Sequence, residues 1–144
     1  MNLKNEKGVT GIDISISVVV IFIFVSIIAV ILANIKNTSK ELDRKSEALY
    51  IAINEIENVK NQGFSKFESL NKNSTQDMDG NSLVNQPTGT EGFYKTISVL
   101  DYADIEGNEY KIPNLVKKVT VKISYMYNGT EENVELSTIL SKES

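Results

Sequence analysis

Ile14 to Ile35 reads ISISVVVIFIFVSIIAVILANI, without one charged side chain. Wound as a helix it reaches about 33 Å, the thickness of the hydrocarbon core of a bilayer. A buried helix of a soluble protein is the competing reading, and it fails on area. The polar remainder of the chain is too small to wrap a rod that is apolar on every side. A cleaved secretory signal fails on length, because its apolar core runs to about 7–15 residues and ends in a small-x-small site. The tail AVILANIKN offers no such site. The stretch predicts a membrane helix.

The whole chain has 144 residues, 41% apolar and 24% charged, with 15 basic and 19 acidic side chains and a net charge of -4. That length favours one modest domain beside the helix. Cysteine and histidine are both absent. Their absence removes disulfides, the usual zinc and haem ligands, the Ser-His-Asp triad and the commonest general base. Neither an enzyme nor a cofactor is expected. The mild acidic balance gives no support to nucleic-acid binding, which needs clustered Lys and Arg to displace counterions from phosphates.

Ahead of the apolar run stands MNLKNEKGVTGIDIS. A short, basic, polar leader ends at Lys7-Gly8; Val9, Thr10, Gly11 and Ile12 follow, and then a single acid, Asp13, at the entry to the helix. A carboxylate at the centre of a membrane helix costs roughly 2.5–3.5 kcal/mol on insertion scales, and less near the interface, so it calls for a counter-charge. Snorkelling of Asp13 to headgroups beside an uncleaved N-terminus is the plainer alternative. The basic residues do not orient the span. Lys4 and Lys7 precede it, whereas Lys36, Lys40, Arg44 and Lys45 follow it, a count that mildly opposes export of the larger part.

The leader resembles the class III signal of type IV pilins and type II secretion pseudopilins, in which a prepilin peptidase cuts after the glycine and methylates the new N-terminus. The resemblance covers residues 1–35. It implies that Gly8 is the last leader residue and Val9 the first mature one, and that Asp13 pairs with the N-terminal ammonium of a neighbouring subunit during assembly. The family usually has phenylalanine or methionine first after the cut and glutamate fifth, where this chain has Val9 and Asp13; Gly11 stands in place of a usual leucine. These departures point to a minor pilin or pseudopilin rather than a typical major pilin. The resemblance also implies other pilin subunits as partners through the N-terminal helix, and an assembly ATPase with a membrane platform.

Beyond the membrane the helical pattern continues. No glycine or proline occurs from Ile12 through Gln62, and one helix over that run is about 75 Å long. Gly63 supplies an end. Leu42, Leu49 and Ile56 recur every seven residues, accompanied by Ala52, Ile53 and Val59. This apolar stripe needs a cover, either a second helix in a coiled coil or a following sheet, and the sheet is the preferred expectation.

Residues 63–92 read as connection, with Gly63, Asn71 to Gln76, Asp79-Gly80-Asn81, Pro87 and Gly89 as turn signals. Phe64, Phe67 and Leu70 suggest a further helical turn or a short packed segment. DMDGNS at 77–82 and DIEGNE at 104–109 lack the acidic frame of a calcium loop and read as turns. Phe93 to Tyr102 is β-branched and aromatic and predicts a strand; Glu109 to Ile112 is expected to begin the return strand. Asp101, Asp104, Glu106 and Glu109 look like a solvated acidic turn.

The strongest local signal is VKKVTVKISYMYNGTEENVELSTIL, where Asn128-Gly129 separates two alternating runs. A two-residue hairpin there sets Ile123 opposite Val134, Val121 opposite Leu136 and Val119 opposite Thr138 on one face, with Lys122 opposite Glu135 and Thr120 opposite Ser137 on the other. Tyr125 and Tyr127 are expected near the tip, exposed or packed along an edge strand. The tail also resembles those of minor pilins and pseudopilins.

The expected fold is α+β, a type IV pilin-like ladle in which one long N-terminal helix packs its outer half on a small antiparallel sheet. Its parts are a leader at 1–8, a membrane or filament-core helix at 9–35, an amphipathic extension at 36–62 and an extracytoplasmic β-rich head at 63–144. Two functional readings stand: a structural filament subunit, anchored in the cytoplasmic membrane with its head outside until assembly, and a single-pass, signal-anchored protein that binds a partner without polymerising.

Overall fold

The computed structural model describes residues 11–107 and 112–142. The proposed cleavage pair Gly8 and Val9, and Glu109 of the expected return strand, lie outside them. Helix α1, Gly11–Gln62, is followed by strands β1, Gln86–Pro87; β2, Phe93–Asp101; β3, Val116–Tyr127; and β4, Thr130–Ser141. Two compact units divide the chain, the first ending at Lys40 and the second beginning at Glu41.

In the first unit, α1 carries large apolar side chains on every side, from Ile12 through Ile35, and all of them are exposed. Ser15, Ser17 and Ser26 turn their hydroxyls back to the carbonyls of Gly11, Asp13 and Phe22 at 2.8–2.9 Å. Each polar side chain is thereby satisfied within its own helix, as an apolar solvent requires.

The second unit is α+β. Its four strands lie in sequence order, β1-β2-β3-β4, all antiparallel. The β3–β4 register is the one that Asn128-Gly129 implies, with Ile123 opposite Val134, Val121 opposite Leu136 and Lys122 opposite Glu135. Asn128 and Gly129 both have positive φ, at 49° and 80°, which is the twist a two-residue hairpin needs and only Asn or Gly adopts readily. Alternation along β3 buries Val119, Val121, Ile123 and Tyr125 on one face. Against them pack Ala48, Ile51, Ala52, Ile56 and Val59 of α1, with Phe64, Phe67 and Leu70 closing the far end. Gly63, at φ 73°, ends α1 in the left-handed region, and a 3-10 turn at Phe64–Lys66 follows.

Three expectations are corrected. The covered stripe of α1 holds Ala52, Ile56 and Val59 as expected, but Leu42, Leu49 and Ile53 remain 60%, 41% and 43% exposed and Ala48 and Ile51 are buried in their place. The sheet takes a face centred on Ala48 and Ala52, both wholly buried, because only small side chains let a helix backbone approach a sheet already filled with Val and Ile. Tyr125 is buried, not exposed: it shares the parity of Ile123 and lies tilted against Phe93, with ring centroids 5.4 Å apart. The return strand begins at Val116, and the described end of the earlier expectation, Ile112, is exposed loop.

This arrangement separates two substitutions that look alike in sequence. Ile123→Ala is expected to cost about 2–5 kcal/mol, and Leu49→Ala less than about 0.5 kcal/mol, in denaturant unfolding of the full chain in micelles. Equal costs would mean that Leu49 is buried as well.

Candidate apolar helix and its acidic entry

Of the sequence-derived site residues, the structure places Asp13. It occupies the first turn of α1 and is exposed. An acid there faces the partial positive charge of unpaired N–H groups at a helix N-terminus. From Ile14 to Ile35 no further charge interrupts the surface, and α1 is long and apolar enough to cross a membrane. Lys36 and Lys40 follow at the polar end. Arg44 does not extend this basic group freely, because its guanidinium lies over the Phe93 ring at 5.3 Å, a cation–π contact that ties α1 to the start of β2.

Sequence reading missed a buried polar centre at the opposite end of the second unit. Lys117 is 1% exposed and directs its ammonium to three acceptors: the Leu70 carbonyl at 3.0 Å, Asp101 Oδ2 at 3.1 Å and Asn114 Oδ1 at 2.9 Å. Asp101 in turn accepts from the backbone N–H groups of Ala103 at 3.1 Å and Asn114 at 2.8 Å. It therefore does not belong to a solvated acidic turn, although Asp104 and Glu106 beside it are exposed. Burial alone would raise the Asp101 pKa. The N–H groups of Asn114 and Ala103 and the Lys117 ammonium outweigh it and hold the carboxyl below its ordinary range. The centre clamps the 102–115 connection and the segment after α1 to one end of the sheet. Its only sequence signal is a lysine at an inward position of β3, in phase with Val119.

A cavity of about 440 Å³ opens between the end of α1, the 77–83 turn and β2. Its charges face opposite charges: Lys95 meets Glu55 at 2.9 Å and Lys66 meets Asp79 at 2.7 Å. In the turn, Asp77 directs its carboxylate to the N–H groups of Asp79 and Asn81 and to the Asn81 amide at 2.8–2.9 Å. Those bonds hold its pKa below the ordinary carboxylate value. The residues stabilise the loop in the way an Asx turn does.

These features define a chain with one membrane-competent helix and a small α+β unit. Set against protein-family models, curated proteins and solved structures, it matches none.

Removal of the Asp101 carboxylate leaves the Lys117 ammonium buried without its counter-charge, so Asp101→Ala is expected to cost about 3–5 kcal/mol at neutral pH. The pH dependence has a definite sign. Because the folded pKa lies below the unfolded value of about 3.9, the stabilisation is complete above that value and is lost as pH falls through the folded pKa. Denaturant midpoints from pH 6 down to pH 2 should fall more steeply below about pH 4 in the parent than in Asp101→Asn. Parallel curves would show that Asp101 does not carry this linkage.

Proposed function

We propose that the chain is a structural subunit, a minor pilin or pseudopilin, of a type IV pilus-like or type II secretion-like filament. The observation that carries this reading is Lys7-Gly8 followed by one acid, Asp13, at the entry of an otherwise uncharged apolar helix. The leader is removed after Gly8, which places a new ammonium at Val9, four residues from the acid. Before assembly the helix holds the subunit in the cytoplasmic membrane with its head outside. During assembly helices exchange lipid for one another, and Asp13 rewards one axial register because a carboxylate in apolar surroundings is tolerated only beside its counter-charge. Prepilin peptidase, fellow subunits and an ATPase-driven platform are the partners of this reading. The chain itself performs no catalysis and takes no cofactor.

Two measurements test it. Expressed with an active prepilin peptidase, the membrane-bound product should begin at Val9 by mass spectrometry, with a methylated terminus, and without the peptidase it should retain its leader. A product that keeps its leader in both strains would overturn the reading in favour of a signal-anchored, non-polymerising protein. Asp13→Ala is expected to insert at least as well as the parent, since it removes an insertion cost of roughly 2.5–3.5 kcal/mol or less. Its recovery in sheared filaments should nevertheless drop by at least about ten-fold, the effect of losing one buried charge pair, and Asp13→Glu should restore it. Undiminished recovery of Asp13→Ala would remove Asp13 from assembly.

A further inference from the structure

The last strand of the sheet has one neighbour. β4 runs for 12 residues, pairs with β3 along its whole length and ends the strand order. The opposite edge is blunt, since β1 has two residues and one of them is Pro87. β4 has no proline, no glycine and a register unbroken by a bulge, and its charges, Glu131, Glu132 and Glu135, are confined to the half nearer the turn. In a two-residue hairpin the closing pair, here Tyr127 and Thr130, exchanges both hydrogen bonds, so the even-numbered residues of β4 bond to β3. The Lys142 N–H continues that ladder to the Leu115 carbonyl at 2.9 Å. The odd-numbered residues, Glu131 through Ser141, therefore turn their N–H and C=O groups to the open edge.

We propose that this edge pairs antiparallel with β4 of a second copy of the chain, about a two-fold axis through Ser137. The strand is self-complementary in that register. Along the edge ladder Ser137 meets itself, Glu135 meets Ile139 and Asn133 meets Ser141. On the helix-facing side Val134 meets Leu140, Leu136 meets Thr138, and Glu132 meets Lys142, which within its own copy also pairs with Glu68. Val134 and Leu136, half-buried in one copy, become covered, and the free ends of the two strands carry opposite charges. Neighbouring registers lose this match: centring on Leu136 sets Glu132 against Leu140, and centring on Glu135 sets that carboxylate against itself.

The symmetry has a consequence. The axis is normal to the sheet, so the Glu41–Gln62 segments of the two copies run in opposite directions on the same face of a doubled sheet. The contact does not depend on processing at Gly8.

The parent contains no cysteine, so thiols can be placed one at a time in the full-length chain, purified in detergent micelles where copies reorient freely. Residues directly opposite in such a ladder have Cα atoms about 5.5 Å apart, within disulfide reach. Under mild oxidation Ser137→Cys should form a covalent dimer at least about ten-fold faster than Asn133→Cys, whose two copies are held far apart while Ser137 gains an effective concentration. Combining Asn133→Cys with Ser141→Cys should recover the dimer. Adding Glu135→Pro to Ser137→Cys removes an outward N–H without touching the β3 ladder, and it should return cross-linking to the background rate. Equal rates for Ser137→Cys and Asn133→Cys, or no effect of Glu135→Pro, would overturn the proposal whatever the N-terminal processing proves to be.

Discussion

A helix that is apolar all the way round cannot stand in water. Each large side chain moved out of water is worth about 1.5–3 kcal/mol, so the run from Ile12 to Ile35 carries a driving force on the order of tens of kcal/mol toward any apolar surroundings. In the structure every large residue of that run is bare. Lipid, other helices, or first one and then the other are the physical means of meeting that demand.

The second unit solves a smaller version of the same problem. Three and a half strands of alternating sequence expose one apolar face, and α1 covers it through the two alanines that permit close approach. Phe93 links the parts: it packs on Tyr125 within the core while receiving Arg44 on its outer side. At the other end, Lys117 and Asp101 fasten chain segments that have little apolar surface of their own. Such a centre is not a source of large net stability, since its desolvation cost offsets much of its attraction. Its strength is that any misplacement strands a buried charge.

Much of this was legible in sequence where one local rule acted without a competitor. Asn128-Gly129 has a single economical backbone solution, and it carries the register of two 12-residue strands with it. The span of α1 followed from the absence of breakers between Ile12 and Gln62. The buried face of α1 was harder, because two apolar stripes compete. Ala52, Ile56 and Val59 were legible, but Leu42, Leu49 and Ile53 are more hydrophobic than Ala48, and the deciding quantity was distance to a sheet, which no periodicity encodes. Tyr125 could have been assigned from parity with Ile123. The Lys117 centre could not, because Asp101, Asn114 and Leu70 meet only after β2 and β3 have paired and α1 has ended. The candidate site divides in the same way: Asp13 is visible as the acid that opens the apolar run, while the open β4 edge exists only once the strand order is known.

The serine hydroxyls of the apolar run point to a mechanical property. Ser15, Ser17 and Ser26 bond within the helix, so turning or sliding that rod among lipid tails breaks none of those bonds. In apolar surroundings the groups that resist such displacement are the charges at the two ends of the run, Asp13 at one and Lys36 and Lys40 at the other.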